Sequence, residues 1–229
     1  KLFQIALTAD FFDASGRPQY RDIGLSVLER EPGMSWRPFG HHQPEIQPEQ
    51  LAAAQAVLVL APRVTARSLV RSEDLVAVAR FGVGYDSVDV AACTAADVVL
   101  TIAAGAVDRP MAEATLAWLL ALTHHVRTKD QLVREGRWHD RTGYMGCELR
   151  ERTLGVVGFG GIGRTLVQLL SGFGMNPPLA FDPHLDAQTI AGHGARKVEL
   201  DELLRQADFV SLHCPLSETT RNLIGAREL

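Results

Sequence analysis

Little in this chain points to a membrane, a nucleic acid or an oxidising compartment. Its cysteines number three, Cys93, Cys147 and Cys214, odd in count and far apart. They suggest no disulfide framework and match no metal-ligand spacing, so they read as free thiols in a reducing setting. Basic runs are also lacking: 23 Lys and Arg face 27 Asp and Glu, for a net charge of −4. Neither a nucleic acid nor an anionic membrane is therefore expected as a partner. Long hydrophobic runs are missing too. The longest, around residues 112–122, is broken by Glu113 and Thr115 and is too short to span a bilayer. Residues 1–7 are too short in their apolar part for a signal peptide, so a cytoplasmic location is expected. No internal repeat or low-complexity tract is visible.

What is present is an ordinary globular composition, 46% hydrophobic over 229 residues, enough for one large or two modest domains. Short apolar runs at 4–8, 57–60, 76–81 and 98–101, and less clearly 36–39, read as strands. Helical stretches lie between them near 22–30, 50–54, 66–71 and 90–95. That alternation predicts parallel βαβ units. Asp108-Arg109-Pro110 then opens a longer helix, with Asp108 as its expected N-cap and Pro110 in the first turn. Met111, Thr115, Trp118, Leu119, Leu122 and Val126 recur at helical spacing, which predicts one packed face with Met111 and Trp118 in the core. Residues 134–152 are polar and glycine-punctuated and read as a surface connection. Three strands are expected after Thr153, at 154–157, 179–182 and 209–213, with a helix at 200–207. Asn176-Pro177-Pro178 cannot donate ladder hydrogen bonds, which delays the second of these strands to Leu179.

The most specific stretch is Gly158-Phe159-Gly160-Gly161-Ile162-Gly163. It follows the apolar run Leu154-Gly155-Val156-Val157 and precedes a helical pattern, and Asp182 ends the next apolar run. That is the dinucleotide fingerprint in its required context. Gly158 permits the tight turn, Gly160 lets a pyrophosphate approach the backbone, and Gly163 lets the helix pack on the strand. The helix N-terminus offers free N–H groups and the positive end of its dipole. Asp182 can accept from both ribose hydroxyls and would repel a 2′-phosphate, so the expected cofactor is NAD rather than NADP. Glycines alone often only mark turns; strand, helix and acid together carry this reading.

Several motifs together resemble the D-isomer-specific 2-hydroxyacid dehydrogenases: Ala79-Arg80-Phe81-Gly82-Val83-Gly84-Tyr85-Asp86-Ser87-Val88-Asp89, Pro110-Met111-Ala112-Glu113 with Thr115, the glycine fingerprint with Phe181-Asp182-Pro183, and Ser211-Leu212-His213-Cys214-Pro215-Leu216 with Thr219-Thr220-Arg221-Asn222. The resemblance implies an α/β protein. A flavodoxin-like substrate domain would span 1–105, and a doubly wound Rossmann NAD-binding domain 106–229, present as its first half only. The N–H groups of Val83 and Gly84 would hold a substrate carboxylate, although on residues alone a tight turn is an equal reading. Gly161 and Ile162 would donate to the pyrophosphate and Asp182 would bind the ribose. Cys214 and Pro215 would line the adenine side, Thr220 would reach the phosphates, and Thr115 would approach the nicotinamide. His213 would be a loop residue beside the cofactor rather than the proton-transfer histidine. The family's catalytic arginine, glutamate and histidine are expected beyond Leu229, so no catalytic residue is expected in this chain. Implied partners are a small 2-hydroxy or 2-keto acid and a second copy, as a homodimer built around the helix from Pro110. Ala61-Pro62-Arg63 departs from the usual substrate loop, which leaves substrate choice open. A non-catalytic NAD-binding regulator, corepressor-like, is the alternative of the same fold.

Overall fold

The computed structural model describes residues 2–70 and 72–229. The chain forms two compact units, Lys1–Ala104 and Gly105–Leu229.

The first unit is built on five parallel strands, β1 (Phe3–Leu7), β2 (Met34–Pro38), β3 (Ala56–Val59), β4 (Ala77–Arg80) and β5 (Val99–Ile102), in the order β2-β1-β3-β4-β5. This is the flavodoxin-like order, with a switch point between β1 and β3. Side chains alternate across the sheet. Ile5 and Leu7 pack with Phe11 and Ile23 on one face. Ala6 joins Val57, Val59, Val78 and Leu51 on the other. A period of two with both faces covered is what a buried parallel strand needs. Helix α1 spans Leu25–Glu29, inside the expected 22–30. Helix α2 (Val90–Ala95) starts from Asp89, whose Oδ1 accepts from the Ala92 N–H at 2.9 Å. The helix expected at 50–54 is instead a 3-10 turn at Pro48–Leu51, closed by Gln47 and Gln50 in a capping box. Residues 66–70 form turns and no helix, and Arg71 lies outside the described residues.

The second unit opens with α3 (Asp108–Thr123) and α4 (Val126–Arg134), and a 3-10 segment follows at Trp138–Tyr144. Strands β6 (Leu154–Val157), β7 (Leu179–Phe181), β8 (Arg196–Lys197) and β9 (Phe209–Leu212) form a parallel sheet in the order β8-β7-β6-β9. The three strands expected after Thr153 are thus four, because β8 was not foreseen. The strand at 209–212 is the fourth, and it lies on the far side of β6. The sheet therefore contains the first half of a doubly wound domain and the first strand beyond its switch point. Helices α5 (Gly161–Leu170), α6 (Ala187–Gly192) and α7 (Leu200–Gln206) connect these strands. β6 is buried throughout. Leu154 and Val156 pack with α3 and α5, and Val157 packs toward α7.

Two expectations about α3 are corrected. Asp108 is not its N-cap: Val107 holds that position, and no side chain caps the end. Of the expected stripe Leu119 is core, but Met111, Trp118, Leu122 and Val126 are exposed. Ala112, Leu119 and Thr123 are the buried positions, whereas Trp118 is 71% exposed and Leu122 66%. Ala112 and Leu119 pack with Leu166 and Leu170 of α5, with Leu116 and Leu120 partly buried beside them, and the opposite face carries the exposed apolar side chains. The helix ends at Thr123, and His125 turns the chain with a φ of +52°.

Candidate dinucleotide site

The C-terminal ends of β6 and β9 meet at the switch point. The His213 N–H donates to the Val157 carbonyl at 2.8 Å, and the Gly158 N–H donates to the Phe181 carbonyl at 2.9 Å. Gly158 has a φ of +88°, and a Cβ built on it would lie 2.4 Å from the backbone N of Cys214. Only glycine fits where two backbones come this close in a left-handed conformation. Gly160 precedes α5 with extended backbone, and a Cβ there would meet nothing within 4 Å. The ground over Gly160 is open. At Gly163 a Cβ would lie 2.8 Å from the Gly158 carbonyl and 3.0 Å from Val156 Cγ1, so this glycine sets the closeness of helix to strand. No side chain caps α5. Its first-turn N–H groups, those of Gly161 and Ile162 among them, have no intrahelical acceptor and form a ready anion site.

Asp182 follows β7 directly, with its carboxylate fixed. Oδ2 accepts from the Phe159 N–H at 2.9 Å and Oδ1 from the His184 N–H at 2.9 Å. Each oxygen retains a lone pair for a further donor. Arg164 braces the loop from the helix side, its Nε donating to the Phe159 carbonyl at 3.0 Å. Phe159 is fully buried, so the loop is held at its centre.

Cys214 and Pro215 follow β9 directly. Thr220 folds back over this loop, its Oγ1 donating to the Pro215 carbonyl at 2.6 Å and accepting from the Ser217 N–H at 2.8 Å. The Thr115 hydroxyl donates to the Met111 carbonyl within α3. Both hydroxyls are thus engaged locally. His213 Nε2 lies 2.9 Å from Ser211 Oγ, and burial pushes its pKa below the ordinary imidazole value. Desolvation disfavours the charged ring, so His213 is neutral at pH 7.

In the first unit, Val83 and Gly84 lie in the loop after β4, with Val83 half-buried and Gly84 exposed. Gly82 has a φ of +148°, and its carbonyl accepts from the Ala103 N–H at 2.9 Å. Arg80 lies over this loop and donates through Nη1 to the Phe81 carbonyl. Among the described residues, nothing accepts from the N–H of Val83 or Gly84.

Residues 116–229 match the family described as D-isomer specific 2-hydroxyacid dehydrogenase, NAD binding domain. The chain carries the NAD-binding domain of the D-isomer-specific 2-hydroxyacid dehydrogenases. It is 40% identical over 168 residues to the (S)-sulfolactate dehydrogenase of Chromohalobacter salexigens, covering 73% of this chain and 54% of that one. It is 38% identical over 177 residues to the D-3-phosphoglycerate dehydrogenase of Mycobacterium tuberculosis, covering 77% and 33%. The chain thus spans about a third to a half of the length of these curated relatives. Its fold is that of the D-lactate dehydrogenase of Aquifex aeolicus, whose structure contains NAD and lactic acid. The TM-score is 0.81 at 22% identity, over 98% of this chain and 64% of that one.

The second unit fits the cofactor that this family's domain binds. The uncapped α5 N-terminus, the open ground at Gly160 and the fixed carboxylate of Asp182 lie at the C-terminal ends of β6 and β7, with Cys214 and Pro215 just beyond β9 beside them. Among the described residues no cluster of His, Cys, Asp or Glu could hold a metal ion, and no helix is long and apolar enough to cross a membrane. Sequence reading missed Arg164 and the anchoring of Phe159. The signal for Arg164 was its place directly after Gly163, one turn from the loop it braces.

Proposed function

We propose that this chain serves an NAD-dependent oxidoreductase that interconverts a small D-2-hydroxy acid and its 2-keto acid. The observation that carries the reading is the loop after β6, where Gly160 leaves room for a pyrophosphate and the fixed Asp182 carboxylate stands ready for a ribose. Bound NAD supplies the hydride acceptor or, reduced, the donor. The chain's own residues bind and orient. Gly161 and Ile162 donate N–H groups to the pyrophosphate, and the glycines at 158 and 163 hold that helix end against β6 and β9. Asp182 takes the ribose hydroxyls and disfavours a 2′-phosphate. Cys214 and Pro215 wall the adenine. Thr220, tied to Pro215, shapes the loop toward the phosphates, and Thr115 stands toward the nicotinamide. The free N–H groups of Val83 and Gly84 hold the substrate carboxylate, and the first unit is the substrate domain. His213, half-buried beside Ser211, is a wall of the site and not its proton carrier.

The exposed apolar face of α3 supports a homodimer, because Trp118 and Leu122 are large side chains left in water. The three free thiols suit a cytoplasmic setting. No observation favours a non-catalytic regulator. Relatives are named for phosphoglycerate, sulfolactate and glyoxylate, so those acids, with lactate, form the first substrate panel. The full-length protein, given NAD(H) and this panel, should change nicotinamide absorbance with at least one member. Silence across a wider set of D-2-hydroxy and 2-keto acids, with folded protein and intact NADH binding, would refute the dehydrogenase reading.

A further inference from the structure

The fingerprint tolerates any residue between Gly160 and Ile162, yet this chain places Gly161 there. The structure supplies a reason. A Cβ built on Gly161 would lie 2.0 Å from Asp108 Oδ2 and 2.5 Å from its Cγ. The Asp108 carboxylate, projecting from the first turn of α3, fills the space a side chain at 161 would take. Among the described residues it has no hydrogen-bond or ion-pair partner. Arg109 beside it is engaged with Glu113, and Arg164 with the Phe159 carbonyl. An unpaired negative charge thus stands at the positive end of α5, beside the N–H groups assigned to the pyrophosphate.

We propose that Asp108 is an affinity-setting residue: its charge opposes the pyrophosphate and holds dinucleotide binding weaker than the α5 N-terminus alone would give. Gly161 is its structural counterpart, kept without a side chain so that the carboxylate can sit there. Like charges repel across a short distance, and the repulsion is screened by salt. The electrostatic part rests on the cofactor placement proposed above; the packing part does not.

The test uses the full-length protein and NADH fluorescence titration at low and high salt, with adenosine as a ligand that lacks the pyrophosphate. Asp108→Asn should bind NADH several-fold more tightly than wild type at low salt. That ratio should shrink as salt rises, and adenosine binding should not change. Asp108→Ala should behave in the same direction. The packing part is read by melting temperature: Gly161→Ala should lower it, and Asp108→Ala combined with Gly161→Ala should recover most of the loss. Equal or weaker NADH binding by both Asp108 variants at low salt, in protein where Asp182→Ala still weakens binding, overturns the proposal and leaves the cofactor placement standing. NADH binding that is indifferent to Asp182→Ala instead overturns the placement, and the affinity-setting role falls with it. A double variant no more stable than Gly161→Ala refutes the packing between the two residues.

Discussion

Gly158 and Gly160 are two glycines of one loop, and the structure gives them opposite reasons for being glycine. Replacing Gly158 with alanine asks an L-residue to hold a φ of +88° and sets its methyl 2.4 Å from Cys214 N, 2.7 Å from Cys214 Cα and 2.8 Å from the His213 carbonyl carbon. All three atoms are backbone, so none can swing aside, and β9 would have to part from β6. The left-handed backbone costs about 1–2 kcal/mol. Overpacking adds about 1–3 kcal/mol, for an expected loss of about 2–5 kcal/mol. In a chain of this size that is a fall of roughly 5–20 °C in melting temperature. Gly160→Ala meets nothing within 4 Å and has a φ of −75°, so its melting temperature should stay within about 2 °C of wild type. Its methyl would nevertheless stand in the ground the pyrophosphate needs, so NADH affinity should drop sharply. Calorimetry and NADH titration on both variants separate the two roles. A Gly158→Ala protein that melts like wild type would refute the close approach of β6 and β9. A Gly160→Ala protein that binds NADH normally would refute the placement of the pyrophosphate.

Other consequences are as direct. Asp182→Ala removes a carboxylate that accepts from two N–H groups and is proposed to take the ribose. Charge-assisted hydrogen bonds of this kind make a loss of about 10–100-fold in NADH affinity the expected titration result. His213 titrates below its ordinary value in the folded chain, so as pH falls through about 6.5 the unfolded state takes up the proton first. Stability contributed by the neutral ring is present above that pH and is lost below it. His213→Gln should therefore flatten the fall in melting temperature between about pH 7 and pH 5, and an unchanged slope would show that the ring is not desolvated. Trp118→Glu should convert a dimer to a monomer in light scattering without lowering the stability of the monomer, since Trp118 is 71% exposed.

The strands of both units were legible because a buried parallel strand is a short apolar run between turn signals. β3 and β6, Ala56–Val59 and Leu154–Val157, carry that signal undiluted. β8 carried none. Arg196 and Lys197 are both polar, and the strand exists because the Arg196 N–H reaches the Pro178 carbonyl and the Val198 N–H reaches that of Ala180 at the sheet edge. A two-residue edge strand is a property of its neighbour, and no pattern in its own residues announces it. The glycine fingerprint with Asp182 was equally legible, since each glycine answers to a local backbone demand. The closeness of Asp108 to Gly161 and the bond from Phe159 to Asp182 were not, because they join distant segments.

Helix α3 shows most clearly where sequence periodicity stops. Its apolar stripe was visible, but periodicity records which side chains are apolar and not how near the neighbouring helix comes. The packing against α5 takes Ala112 and Leu119 for the inside and leaves Trp118 and Leu122 outside. A helix apolar on both faces has more surface to bury than one unit can cover. The core assignment of Trp118 was therefore wrong for the isolated unit. The same residue type at the same position now argues for a second copy, because an indole held in water gains by burial wherever a complementary face exists. The proposed second copy and the helix packing thus meet on one helix, whose Ala112 and Leu119 turn inward and whose Trp118 and Leu122 turn outward.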